Sequence, residues 1–166
     1  MNATMQRVLP NSKGLPFSAR LAPVPLRLIV GFGFFMHGFA KLSRGSESFV
    51  NVLVALHVPW PYIMAWLTIL IELAGGLLVL MGIGVRLAAV PLSAVLLTAI
   101  FTVHLRYGFS SIKLLAVTSA GAEFGPPGYE CPLLYLACLA TLVAGGPGQP
   151  SIRNFNRAKQ WSKQVC

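Results

Sequence analysis

A histidine and a lysine lie four residues apart in a stretch that is otherwise apolar, GFGFFMHGFAKL (31–42). At this spacing His37 and Lys41 share one face of a helix. An imidazole among apolar groups can donate to a quinone carbonyl, shuttle a proton or bind a metal. A lysine near a helix end can extend its ammonium to the lipid headgroups. We therefore expect His37 to face the interior of a helix bundle and Lys41 to reach the outer membrane surface.

A carboxylate, Glu72, lies near the middle of a second apolar stretch. It shares a helical face with small or weakly polar residues, namely Thr68, Gly75, Gly76 and Val79. Such a face lets a neighbouring helix approach closely. An ionisable group in a membrane span costs at least about 2.5 kcal/mol to insert and usually faces the bundle interior or water. Glu72 is therefore a proton acceptor or ligand anchor, or it forms a structural hydrogen bond between helices, and the sequence leaves both open.

Two further ionisable groups lie at the borders of apolar stretches. His104 ends the third stretch and Glu130 begins the fourth. Counting membrane crossings places both in one outer layer with His37 and Lys41, with Glu72 deeper. Two histidines and a carboxylate suit a transition metal, but no close HxxH or HxxxH pair exists. The layer therefore predicts quinone and proton chemistry and no metal site.

The elements that position these residues are read from run length and composition. The chain has 166 residues, of which 55% are hydrophobic and 10% are charged, whereas soluble domains carry about 25% charged residues. Runs at 24–42, 61–82, 87–105 and 129–145 reach or approach the roughly 20 apolar residues that cross a bilayer. None has the polar face of a soluble bundle helix. The sequence therefore predicts an all-α, polytopic membrane protein with a bundle of four transmembrane helices.

The charges predict the orientation of the bundle. With four crossings, nine basic residues fall on the side of the two termini: Arg7, Lys13, Arg20, Arg27, Arg86, Arg153, Arg157, Lys159 and Lys163. The other four basic residues, and three of the four glutamates, fall on the opposite side or near it. Because basic residues collect in the cytoplasm, both termini are expected there. The predicted divisions are a cytoplasmic arm (1–23), a membrane domain (24–150) and a basic tail (151–166), in the cytoplasmic membrane of a prokaryote.

Arginines and cysteines support narrower expectations. Arg27 and Arg86 lie at the inner border, where they bind lipid phosphates or serve the structure; Arg27 shares a helical stripe with Gly31, Phe34 and Gly38. The apolar segment 112–117 is too short to cross and predicts an interfacial or re-entrant connection. Cys131 and Cys138 lie about 10 Å apart along one helix, which is too far for a disulfide. The absence of a CxxC pair from the sequence also argues against thiol–disulfide chemistry.

The sequence around several of these residues resembles that of the DoxX family of small four-span membrane proteins. The first run, from Arg27 to Leu42, resembles its RLxxGxxFxxHGxxKL signature. The segment ELAGGLL (72–78), followed by Gly82 and Arg86, and the segment 129–148 resemble its later signatures. The resemblance implies a four-helix bundle and a place in membrane redox chemistry, since relatives include a subunit of a thiosulfate:quinone oxidoreductase and others are associated with oxidative stress or metal handling. The matching polar positions are His37, Lys41, Glu72 and Arg86.

The sequence thus predicts a small membrane subunit of a quinone-linked oxidoreductase or respiratory complex. It contains no CxxCH haem motif, iron–sulfur cysteine set or dinucleotide loop, so electrons would come from a redox protein partner. One alternative is a non-catalytic assembly subunit that packs against a larger membrane complex. Another is a small transporter, although broken spans and inverted repeats are not evident. The basic charge is explained by the membrane borders, so no nucleic-acid partner is expected.

Overall fold

The protein is described from a computed structural model covering residues 21–148. The cytoplasmic arm and the basic tail predicted from the sequence lie almost entirely outside the described residues, and the domain boundaries remain predictions. The helices are α1 (Pro23–Ser43), α2 (Ser46–Ala55), α3 (Pro61–Met81), α4 (Val85–Ala99) and α5 (Glu130–Gly145). A π-turn (Ile100–His104) and a 3₁₀ turn (Leu105–Tyr107) continue α4, and two strands follow, β1 (Leu114–Thr118) and β2 (Gly121–Phe124).

Within residues 21–148, three helices are long and apolar enough to cross a bilayer: Pro23–Ser43, Pro61–Met81 and Val85–Tyr107. They confirm that the chain is an integral membrane protein. The fourth apolar run forms α5, which has only 16 residues and is about 24 Å long. This is shorter than the roughly 30 Å hydrocarbon core. The count of four spans and the cytoplasmic position of both termini therefore stay predictions.

Local sequence explains where these helices begin and turn. Proline occupies the first turn of α1 and of α3, where its missing amide would have no helical partner anyway. Between α3 and α4 the chain reverses within three residues, and Gly82 (φ 70°) and Gly84 (φ 57°) both adopt the left-handed conformation. Glycine adopts this conformation without steric cost. The short turn makes α4 run antiparallel to α3.

The closest packing in the bundle is between α1 and α3. A Cβ atom added to Gly31 would lie 2.6 Å from the Leu80 nitrogen and 2.9 Å from the Gly76 carbonyl oxygen. One added to Gly76 would lie 2.6 Å from the Phe35 nitrogen. The two backbones therefore touch at a place where only glycine fits, as in small-residue crossings of membrane helices.

The buried faces follow the predicted ones. The stripe of α1 that carries Arg27 is buried, together with Gly31, Phe34 and Gly38. The predicted face of α3 is buried at Glu72, Gly75, Gly76 and Val79, although it divides between two neighbours. Gly76 faces α1, whereas Gly75 faces α4, since a Cβ added to Gly75 would lie 3.0 Å from Leu92 Cγ. Around these positions the main core comprises Val30, Phe34, Val79, Leu92, Leu139 and Leu142, with others.

The two long connections are more ordered than the sequence predicted. The connection 43–60 contains α2, whose Val50 and Leu53 pack against Ala65 at the start of α3. The connection 106–128 contains an antiparallel hairpin in which Val117 pairs with Ala122 and Thr118 with Gly121. The expectation of an all-α fold is therefore wrong for this segment. The β-branched Val117 and Thr118 favour a strand, and a turn with glycine at φ 129° closes the hairpin.

Candidate functional site

Lys41 and Glu72 form an ion pair between α1 and α3. The Lys41 ammonium lies 2.5 Å from each carboxylate oxygen and donates to both. The Glu72 side chain is 6% exposed and the Lys41 side chain 23% exposed. The expectation that Lys41 reaches the headgroups while Glu72 lies deeper is therefore wrong, because the lysine turns inward and meets the glutamate at its own level.

The level of Glu72 depends on how far α3 extends past the end of α1. Counting residues from the start of each run assumes that all runs begin at one membrane border. In the structure, the first turns of α3 pack against α2 through Ala65, and α1 meets α3 only further along. Gly38 then lies opposite the site: a Cβ there would come within 3.1 Å of Glu72 Cβ. This glycine allows the two helices to approach where the pair forms.

A third group completes the surroundings of the ammonium. Nζ of Lys41 lies 4.7 Å from the centroid of the Phe49 ring, which belongs to α2. A cation over an aromatic face is attracted by the ring quadrupole, more strongly when desolvated. Lys41 is therefore contacted by a carboxylate from one helix and an aromatic ring from another. Phe49 could not be predicted from the sequence as a neighbour of Lys41, because the contact depends on α2, a helix in a connection for which the sequence predicts none.

His37 lies on the surface of the bundle, one turn before Lys41 on the same helix. Its side chain is exposed, so the expectation that it faces the interior is wrong. The buried stripe of α1 passes through Phe34 and Gly38, and position 37 lies beside that stripe. The imidazole is on the α5 side, with its ring centroid 6.4 Å from that of Tyr135 and the two rings inclined at 73°.

Tyr135 is a site residue that the sequence analysis missed. Its ring also packs edge-on against Phe34, with centroids 5.4 Å apart. A Cβ added to Gly33 would overlap the Tyr135 hydroxyl, so glycine at that position makes room for the tyrosine. The first run contains three glycines among aromatic residues, which indicates close contacts with neighbouring helices. The sequence does not show which residue packs against each glycine.

His104 and Glu130 hold the hairpin connection. Nδ1 of His104 lies 3.0 Å from the Pro127 carbonyl oxygen; since a carbonyl only accepts, this nitrogen is the donor. The Glu130 carboxylate accepts a hydrogen bond of 2.9 Å from the Ser111 amide. The predicted outer layer is therefore divided: Lys41 pairs with Glu72, His37 is exposed on the bundle surface, and His104 and Glu130 anchor the connection 106–128.

Arg27 and Arg86 both bind backbone carbonyls at the carboxyl end of α5. Arg27 Nη1 donates to the Pro147 oxygen at 2.9 Å, and Arg86 Nε donates to the Val143 oxygen at 3.2 Å. The end of a helix carries partial negative charge on its free carbonyls, which a guanidinium neutralises. Of the two roles expected for these arginines, the contacts support the structural one.

The described part of the chain, residues 21–148, contains no group of three or more histidine, cysteine, aspartate or glutamate side chains that could hold a metal ion. Cys131 and Cys138 are free thiols. An amine and a carboxylate in hydrogen-bond contact, as in the Lys41–Glu72 pair, can exchange protons. The chemistry available at His37 is hydrogen bonding to a partner at the bundle surface.

Comparison with known proteins assigns the chain to a family. The DoxX family profile matches residues 22–105, about half of the chain, including α1, α3 and the Lys41–Glu72 pair. A Bacillus subtilis (strain 168) protein named "Putative oxidoreductase CatD" is 35% identical over 92 residues, which are 55% of this chain and 66% of that protein, slightly under two thirds of its length. Comparison with solved structures gives no significant match. The chain is a member of the DoxX family.

Proposed function

We propose that this protein is a small membrane subunit of a quinone-linked oxidoreductase, and that the quinone head group binds at His37 beside the Lys41–Glu72 pair. The observation that carries the proposal is an imidazole exposed on the surface of a membrane helix, one turn from a lysine bound to a buried carboxylate. The name of the Bacillus subtilis relative, an oxidoreductase, supports the same class of reaction.

The residues present fit a quinone. A quinone supplies an electron acceptor that diffuses within the bilayer and takes up protons as it is reduced. The side chain of His37 is exposed, and its ring N–H can donate a hydrogen bond to a carbonyl oxygen. The Tyr135 ring, 6.4 Å away between centroids, offers an aromatic surface beside it. The imidazole would hold the head group and exchange its proton.

The ion pair would serve as the proton reservoir of the site. Lys41 is partly exposed whereas Glu72 is buried. Once the ammonium has given up a proton to the site, the neutral amine would take up the next proton from the membrane border. The two hydrogen bonds from the ammonium to the carboxylate hold the lysine side chain in place. Electrons would come from a redox partner protein, because the sequence contains no haem, iron–sulfur or dinucleotide motif.

The test is to measure bound quinone in the full chain purified alone from its native membrane in mild detergent. We expect near-stoichiometric quinone in the wild-type protein and its loss in His37→Ala. The matched control is His57→Asn. His57 is also exposed, lies in the connection between α2 and α3, and has a φ of 57°, which asparagine tolerates. This control should keep its quinone.

A wild-type protein that elutes as a folded species but carries no quinone would contradict the proposal. So would equal quinone content in His37→Ala and His57→Asn. Either result would favour the second function expected from the sequence, a non-catalytic subunit that packs against a larger membrane complex. Co-purification of such a complex with both variants would support that reading.

A further inference from the structure

The hairpin between α4 and α5 presents an apolar surface that no other part of the described chain covers. Its exposed apolar side chains are Ile112, Leu114, Leu115, Val117 and Phe124, and we call residues 112–124 the apolar ribbon. Ile112 is 75% exposed and Val117 is 76% exposed. Side chains alternate between the faces of a strand, so both faces of β1 are apolar. A two-stranded ribbon of this kind is marginally stable in water.

Backbone hydrogen bonds between the two segments that flank the apolar ribbon hold its base together at the end of a membrane helix. The Tyr129 amide donates to the Gly108 carbonyl at 3.1 Å, and the Gly128 amide donates to the Ser110 carbonyl at 3.0 Å. Leu114 is only seven residues beyond Tyr107, the last residue of the span, so β1 begins at most about 25 Å from it. The apolar ribbon therefore stays close to the membrane border.

The apolar surface of the span continues into the apolar ribbon. Phe101, Leu105 and Phe109 are exposed along the end of α4 and its extension, and Ile112 follows them. The two basic residues near the apolar ribbon both lie at Tyr107, where the span ends. The Lys113 ammonium donates to the Tyr107 carbonyl, and the Arg106 guanidinium lies over the Tyr107 ring at 4.8 Å. Glu123 is the other charged residue of the segment 108–128.

We propose that the apolar ribbon lies in the lipid–water interface of the bilayer leaflet in which α4 ends. The apolar side chains would enter the acyl boundary, as those of interfacial helices do. The two outer strand edges would remain at the headgroups, because open edges cannot lie in the hydrocarbon core. This removes the re-entrant alternative that the sequence left open. The inference does not depend on the quinone site.

Depth-dependent fluorescence quenching tests the proposal in the full chain, reconstituted alone into phosphatidylcholine–phosphatidylglycerol vesicles. Cys131, Cys138 and Cys166 are replaced by alanine, and Val117→Cys carries an environment-sensitive fluorophore. We expect a blue-shifted emission and a strong loss of fluorescence with lipids that carry a nitroxide near the headgroup. Phe101→Cys, exposed in the span six residues before its end at Tyr107, is the matched reference and should be quenched more by a nitroxide deep in the acyl chain.

Two outcomes would overturn the proposal. Quenching of the label at position 117 by aqueous iodide and by neither lipid would place the apolar ribbon in water, as a surface for a soluble protein. Deep quenching equal to that at position 101 would make the segment re-entrant. Should the cysteine-free chain fail to fold, the unmodified chain can be photocrosslinked with diazirine lipids. Crosslinks at 112–124 from headgroup-proximal probes support the proposal, and their absence contradicts it.

Discussion

The Lys41–Glu72 pair is enclosed by groups from three helices. The carboxylate comes from α3, the ammonium from α1 and the ring over it, that of Phe49, from α2. Desolvating two charges is costly, and a close, hydrogen-bonded geometry offsets this cost. Here the lysine donates to both carboxylate oxygens. The pair therefore stabilises the contact between helices only while both partners are present.

Removing one partner of the pair should cost more stability than removing both. Glu72→Ala leaves an ammonium without its carboxylate at a largely buried position, and we expect a loss of about 3–5 kcal/mol in the free energy of unfolding. The double variant Lys41→Met, Glu72→Leu should recover most of this loss, since apolar residues of similar volume replace the pair. Reversible unfolding in detergent micelles measures both.

The same double variant separates structure from chemistry. If the pair exchanges protons with a quinone, the double variant should be stable yet inactive in quinone reduction with its partner complex. Full activity would assign the pair a structural role alone. Wild-type stability of Glu72→Ala would show that the pair does not form in the membrane.

At the scale of elements, the position of the site is decided by how α1 crosses α3. Gly31 and Gly76 bring the backbones of the two helices into contact. Seven residues further along α1, Gly38 keeps the helices close beside Glu72. In a bilayer there is no hydrophobic force between helices, so close packing and hydrogen bonds must hold them together. The ion pair and the glycine contacts therefore both depend on the close approach of α1 to α3.

A larger residue at the crossing should separate the two helices. In Gly76→Val the new side chain would meet the backbone of Phe35, which cannot move aside as a side chain can. We expect a loss of at least about 1–3 kcal/mol in the free energy of unfolding. Ala74→Val, an exposed position on the opposite side of the same helix, is the control and should unfold as the wild type does. Equal stability of both variants would contradict the close crossing.

At the scale of the whole molecule, the long helices alternate in direction. Along α1 from Gly31 to Gly38, the contacts on α3 run backwards from Leu80 to Leu73, and α5 runs antiparallel to α1, since Arg27 binds Pro147 while His37 lies near Tyr135. The ends of α1 and α4 therefore lie at the same end of the bundle as the apolar ribbon. This arrangement is compatible with four crossings, although α5 is short.

Thiol labelling in intact cells tests the predicted orientation. With Cys131 and Cys138 replaced by alanine, a membrane-impermeant maleimide should label Ser119→Cys, at the tip of the hairpin, from outside. Cys166 should react only after permeabilisation, because the basic residues near both termini favour the cytoplasm. If α5 did not cross, Cys166 and position 119 would be labelled from the same side, and the four-span prediction would be wrong.

The sequence by itself determined that the chain is a membrane protein, where its long apolar helices run, and which faces of α1 and α3 are buried. These properties depend on local run length and on helical periodicity, which any segment expresses wherever it packs. Only the tertiary structure decided that Lys41 meets Glu72 and that His37 is exposed beside Tyr135. The relative level and rotation of two helices depend on contacts between residues far apart in the chain, such as Gly38 with Leu73 and Ala65 with α2. Run length carries no information about those contacts.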